Sequence, residues 1–239
     1  MVSIRSDLAK LAITLVPPSN WRWLWIIICF AAVCCKAADE KDLFERCFAA
    51  QTNIQSWAAD FTQTRTLKVL AEPLVSTGKV WVEPNRFRWE LGQPPQTIAI
   101  RQPDQLLIVY PRLKRAEKYS LSDVPPGPLK DALALLDASL PRDRASMEEK
   151  FRVLSAQQTN LLLEVTLQPK SASARKFMSQ VLIGFHTNNF TTAFTELKFP
   201  DGSRLRNDFT NMVLNKPIDP SLFEAKLSPD ITVVEPMRR

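Results

Sequence analysis

The chain has 239 residues, 45% hydrophobic and 23% charged, with a formal net charge of +6, a composition that excludes a disordered or collagen-like chain and fits one or two globular domains. Eighteen prolines against five glycines exclude a long uninterrupted helical architecture and point to many strands bounded by proline.

Residues 23–35, WLWIIICFAAVCC, form an apolar block of the length of a signal-peptide core, shorter than the ~20 residues of a spanning helix. Arg5, Lys10 and Arg22 give it a positive flank and the small residues Ala37 and Ala38 follow it. The reading is an export signal over 1–38, with an uncleaved membrane anchor as the alternative. Cys29, Cys34 and Cys35 lie inside the block, so cleavage leaves Cys47 as the last cysteine and no internal disulfide. Val33 before Cys34, and Cys34 before Cys35, are poor matches to a lipoprotein cleavage point. Removal of 1–38 takes away four cations and one acid, which lowers the net charge to about +3. With no dense basic run, nucleic acid is excluded as a partner.

Next comes DEKDLFERCFAA, with acids at its start and Leu43, Phe44, Cys47 and Phe48 at three- and four-residue spacing. That pattern predicts an amphipathic helix. From Ser56 the period changes to two, which places Trp57, Ala59 and Phe61 on one face of a first strand. A hairpin follows over 74–91 with its turn at Pro84-Asn85. Val80 and Val82 share a face opposite Lys79, Trp81 and Glu83; Phe87, Trp89 and Leu91 share a face opposite Arg86, Arg88 and Glu90. Trp81, among these charges, is placed to stack on Arg86 or Arg88.

Further strands are predicted over 96–101, 105–110 and 113–121, an antiparallel meander. The register breaks in VPPGPLKDALALLDASLP, where Leu129, Leu133, Leu136 and Leu140 line one side of a helix. It either plugs the core or forms a movable lid. Strands resume over 151–156, 161–168 and 176–186, with Phe177, Val181, Ile183 and Phe185 near one face. Two more, 191–199 and 204–214, flank the hairpin signal Asp201-Gly202. The tail KPIDPSLFEAKL supplies a turn and a hydrophobic clasp. The sum is a mainly β (α+β) protein of about eleven antiparallel strands and two main helices.

Catalytic groups are sparse. His186, the one histidine, sits beside Asn188 and Asn189, a solvated or turn-stabilising position without a partner for acid–base work. Cys47 lies on the apolar face of a helix, the place of a buried thiol. The acids are scattered among Lys and Arg, so no metal motif forms, and five dispersed glycines make no phosphate loop. The expectation is a protein that is not an enzyme and uses no cofactor. What remains is an apolar sheet face bearing Trp57, Phe61, Val80, Val82, Phe87, Trp89 and Leu91, with a leucine-faced helix able to cover it. Such a sheet is either a solid core or hollow. If hollow, it binds an apolar ligand, each buried CH₂ contributing about 0.8 kcal/mol.

On these residues the chain resembles the LolA family of periplasmic outer-membrane lipoprotein carriers. The resemblance runs through SWAADFTQ at 56–63, Gly78-Lys79-Val80-Trp81-Val82, Pro84-Asn85, Phe87, Trp89, Gln93-Pro94, Tyr110-Pro111 and LQPK at 167–170. It covers roughly 39–236, which sets a single carrier domain over 39–239 after the signal. The resemblance implies an unclosed antiparallel half-barrel with a helical lid around an apolar cavity. It implies a monomeric carrier in the periplasm for the acyl chains of lipid-anchored proteins, loaded by an inner-membrane lipoprotein-releasing ABC transporter and unloaded to an outer-membrane acceptor. Within it, Trp89 matches a cavity tryptophan, Phe87 a hydrophobic residue needed for productive partner interaction, and Phe194 a cavity phenylalanine. Leu129, Leu133 and Leu136 fall in the lid. The family's arginine before Pro-Asn, which helps hold the lid, is Glu83 here, and Arg86 or Arg88 is the candidate substitute for lid or partner contact. Related readings are a sensor or regulator on the same half-barrel, a structural envelope protein, or a carrier of another lipid.

Overall fold

Alternation of apolar and polar side chains from Trp57 onward gives strands with two unlike faces, and pairing them in register collects the apolar faces on one side. The computed structural model, which describes residues 42–121 and 144–236, has helix α1 over 42–51 followed by β1 (Trp57–Thr66), β2 (Leu74–Glu83), β3 (Arg86–Leu91), β4 (Thr97–Arg101), β5 (Gln105–Tyr110) and β6 (Arg115–Ser120). Then come α2 (Arg144–Lys150), β7 (Phe151–Thr159), β8 (Leu162–Pro169), α3 (Ala172–Phe177), β9 (Gln180–His186), β10 (Thr192–Lys198), β11 (Arg204–Leu214) and β12 (Thr232–Val234). The signal segment 1–38 and the leucine helix with Leu129, Leu133 and Leu136 lie outside the described residues.

All twelve strands form one sheet in the order β12-β6-β5-β4-β3-β2-β1-β11-β10-β9-β8-β7. Two antiparallel meanders, β1 to β6 and β7 to β11, join through the long-range β1–β11 pair. The ends β7 and β12 are not neighbours, so the sheet is unclosed. The strand beyond the expected eleven is β12, three residues of the tail that run parallel to β6.

Turn chemistry fixes the hairpins. Pro84 supplies a fixed negative φ and Asn85 accepts φ 62, which sets Glu83 directly opposite Arg86. At Asp201-Gly202 the glycine takes φ 86, open to it because it lacks a Cβ, and Asp201 Oδ1 accepts from the Ser203 backbone at 2.9 Å. Two helices were not expected. The start of the strand expected over 176–186 is instead α3, capped by Ser171 Oγ, which accepts from the Ala174 N–H. Phe177 therefore leaves the Val181, Ile183, Phe185 row and is 44% exposed. Helix α2 is bound to α1 through the Arg144–Glu45 ion pair, with the Arg144 guanidinium over the Phe44 ring.

The inner face holds two apolar clusters. Under α1 and α2, Phe44, Cys47, Phe48, Met147 and Phe151 pack with Leu163, Val165, Leu167, Val181, Ile183 and Phe185 of β8 and β9, most of them fully buried. The second cluster lies on β1 to β5 and β11. A polar row crosses β2, β1, β11 and β10 beside the second cluster: Ser76, Gln63, Asn207 and Thr195 stand in register, and the row continues onto Ile183 of the first cluster. Gln63 donates to Asn207 at 2.9 Å and Asn207 to Thr195 at 3.4 Å, which satisfies the buried amide. On the outer face, Leu107, Val109 and Ala116 are covered by Leu227 and Ile231 of the tail, the expected clasp.

Candidate functional site

The second inner cluster is an aromatic platform assembled by register alone. Trp57, Val82 and Phe87 form one row across β1–β3, Ala59, Val80 and Trp89 the next, and Phe61, Gly78 and Leu91 the third. All seven residues expected on this face, Trp57, Phe61, Val80, Val82, Phe87, Trp89 and Leu91, are in the cluster. The Phe61 and Trp89 rings lie 4.2 Å apart between centroids. Phe209 of β11 meets Trp57, Phe61 and Trp89 edge-on at 5.6, 6.4 and 6.3 Å, separations at which ring pairs attract beyond area burial. Gly78 makes this stacking possible: a Cβ there would stand 2.3 Å from the Phe61 ring and 2.2 Å from the Glu90 carbonyl oxygen.

Phe61, Val80, Val82 and Phe87 are buried, whereas Trp57, Trp89 and Leu91 are half-buried. Phe209, Leu106 and the partly buried Ala99, Ile108, Tyr119 and Met212 complete the platform, and sequence reading did not single them out. Period two along 205–209 could have found Phe209, but the polar Asn207 in the middle of that row hides the pattern. Tyr119 donates to Glu117 Oε2 at 2.7 Å; burial, and then the Glu117 carboxylate, push its phenol up to about 12.

Phe194 is corrected. It stands opposite Asp208 on one side and Gly184 on the other, the outer face of the sheet, and it belongs to neither inner cluster. A register irregularity between Thr192 and Phe194 changes its face, as one extra residue does in a strand. Its ring fills the space over Gly184 and lies 3.7 Å beneath the Arg206 guanidinium.

Arg86 and Arg88 serve the tail. Arg88 donates to the Leu222 carbonyl at 3.0 Å and pairs with Glu90 at 2.6 Å. Arg86 pairs with Glu83 and lies 4.6 Å over the Phe223 ring, not over Trp81. Both guanidiniums thus hold the turn Pro220–Phe223 against β3. Beside them an open cleft of about 560 Å³ is lined by Glu83, Pro84, Arg86, Gln102, Pro103 and Phe223, among others.

Cys47 is buried, its thiol pushed up to about 12 by desolvation, the state of an inert core thiol. His186 ends β9, its backbone bonded to Thr191 and Phe190 across the turn. Among the described residues no group of His, Cys, Asp and Glu could hold a metal. Among the described residues the platform offers apolar surface and aromatic faces.

Fold and site together define an unclosed β-sheet protein with one aromatic, apolar inner face. The chain belongs to the outer membrane lipoprotein carrier protein LolA family, whose model matches residues 52–226. No curated protein matches it. Among solved structures, an uncharacterized conserved protein from Thermus thermophilus is 10% identical, with 83% of this chain and 98% of that one covered at a TM-score of 0.46. The MucA/MucB complex of Pseudomonas aeruginosa gives 14%, 82%, 63% and 0.44 on the same measures. The LolA superfamily protein NE2245 from Nitrosomonas europaea gives 11%, 75%, 96% and 0.39.

Proposed function

We propose that this protein is a periplasmic carrier that shields the acyl chains of lipid-anchored proteins between the inner and outer membranes. The single observation that carries the reading is the ring cluster of Trp57, Phe61, Trp89 and Phe209 on an inner face where Trp57, Trp89 and Leu91 stay half-buried. A site of this kind holds hydrocarbon by area, about 0.8 kcal/mol per buried CH₂, and does not read the protein attached to it. Residues 1–38 direct export, the chain acts as a monomer without cofactor or catalysis, and transfer is directional because donor and acceptor differ. An inner-membrane lipoprotein-releasing ABC transporter loads it and an outer-membrane acceptor unloads it, as family membership suggests.

The test is native mass spectrometry on protein recovered from its own envelope, with proteomics on whatever co-purifies. Acylated proteins retained by the wild type and lost in Trp89→Ala are the expected result. Recovery of free phospholipid or another lipid in place of acylated protein would turn the reading to a carrier of that lipid. No apolar ligand in either would contradict carriage.

A further inference from the structure

The strand connections sort to two ends of the sheet, and the ends differ in charge. At one end lie 67–73, 92–96, 111–114, 170–179 and 199–203, which carry Lys68, Arg112, Lys114, Lys170, Arg175 and Lys176 against Glu72 and Asp201. Helix α2 and the tail leading into β12 reach the same end and add Arg144, Lys150 and Lys226 against Glu148, Glu149 and Asp230, so the excess of cations remains. At the other, 84–85, 102–104, 160–161, 187–191 and 215–219 hold Lys216 against Asp104 and Asp219. The basic end also has most of the exposed large apolar side chains among the described residues: Val69 at 88%, Leu113 at 71%, Val75 at 61% and Leu74 at 51%, with Leu70 and Phe177 both at 44%.

The β1–β2 hairpin explains the exposure. Strand β3 ends at Leu91, opposite Gly78, so 74–77 of β2 run past it and the hairpin projects. Its tip is a tight turn in which the Leu70 N–H donates to the Leu67 carbonyl at 3.0 Å, and every residue over 68–75 is exposed. The pairing of Thr66 with Arg204 sets the β10–β11 turn beside this tip, and the Asp201 carboxyl there is held below its ordinary value by hydrogen bonds from Ser203 and, less, by the charge of Lys68. Lys114 is engaged by Asp230, and Arg175 by the carbonyls of Pro169 and Lys170. No ion pair among the described residues engages Lys68, Arg112 or Lys176.

We propose that this end is a membrane-docking surface, at which Val69 and Leu70 enter the boundary between headgroups and acyl chains of an anionic bilayer while Lys68, Arg112 and Lys176 face its phosphates. A convex tip with a few apolar side chains suits a fluid interface, and the cations around it select lipid of opposite charge. A few apolar side chains and cations give reversible contact, weaker than the two-signal anchoring of lipidated proteins. The inference is independent of what the inner platform carries.

The test uses the full-length chain with Cys29→Ser, Cys34→Ser and Cys35→Ser, a background in which the remaining Cys47 is buried. An NBD fluorophore is attached at Val69→Cys, or at Leu161→Cys at the opposite end, where Leu161 is 75% exposed. Both sites are on the surface, and circular dichroism checks the fold of each labelled protein. With phosphatidylglycerol/phosphatidylethanolamine vesicles the label at 69 brightens, shifts to the blue and is quenched by headgroup-depth spin label, while the label at 161 stays as in water. Lys68→Gln raises the lipid needed for half-response about fivefold, the share of one surface cation. Equal responses at 69 and 161, no response at 69, the same response on phosphatidylcholine, or no effect of Lys68→Gln would each overturn the proposal. If residues 1–38 remain attached and tether the chain to vesicles, both labels are brought near the surface, so only local insertion separates 69 from 161.

Discussion

The two halves of the inner face are made by the same sheet and packed to different ends. Over β8 and β9, α1 and α2 bring Phe44, Phe48 and Met147 onto Leu163, Val165, Ile183 and Phe185, and every one of these strand residues is fully buried. Over β1 to β3 and β11, aromatic rings pack on one another, and Trp57, Trp89 and Leu91 remain half-buried. The polar row Ser76, Gln63, Asn207, Thr195 borders the second half and leads onto Ile183 of the first. The first half is core; the second is a platform of core-like composition in which Trp57, Trp89 and Leu91 stay half-buried among the described residues. Stability and binding should therefore separate between the halves.

The largest effect is expected from Ile183→Ala, which should remove about 2–5 kcal/mol in chemical denaturation, the usual cost of a cavity at a fully buried aliphatic position. Trp89→Ala should cost clearly less stability and weaken binding of a fluorescent fatty acyl probe at least about tenfold, since the indole face supplies more than about 1.4 kcal/mol of contact. Equal destabilisation by the two would erase the distinction.

Two glycines sharpen it. In Gly78→Ala the added methyl meets the Phe61 ring and the fixed Glu90 carbonyl, and in Gly184→Ala it meets the Phe194 ring. Each should cost about 1–3 kcal/mol through overpacking. Only Gly78→Ala should change acyl-probe affinity, because only its ring is in the platform. Arg88→Leu, which removes the bond to Leu222 and the Glu90 pair, should cost about 1–3 kcal/mol. Its signature is faster hydrogen exchange over 220–231 with acyl-probe affinity unchanged.

The smallest effect is a pH dependence. Burial raises the Cys47 thiol from 9.0 to about 12, so the folded state keeps a proton that the unfolded chain gives up above pH 9. The stability this provides is complete below 9 and declines as pH rises toward 12, by about 1 kcal/mol at pH 10. Tyr119, raised from 10.0 to about 12, adds the same sign about one unit later. Cys47→Ala should lose the earlier part of that decline while retaining the Tyr119 part, as read from denaturation midpoints between pH 8 and 11.

The platform was legible because period two survives intact through β1, β2 and β3: once the Pro84-Asn85 turn fixes register, every large residue there has one possible face. Phe194 was not, since the irregularity at Thr192 and Phe194 changes face without leaving a mark in composition. Helices α2 and α3 are too short, at 7 and 6 residues, to show a helical period. Strand β12 depends on a long-range parallel pairing with β6 that no local pattern announces. The arginines at 86 and 88 show the other limit, because a charged face in sequence does not say which distant segment it will hold. Here that segment is the tail turn carrying Leu222 and Phe223.

The division of the inner face is tested most directly by photocrosslinking with a diazirine-bearing palmitoyl lipopeptide, followed by mapping of the labelled residues. Insertion at Trp89, Leu91, Trp57 or Phe209, with Leu163, Val165 and Ile183 unlabelled, is the predicted result. Labelling concentrated on β8 and β9, or on the outer face around Phe194, would contradict the account.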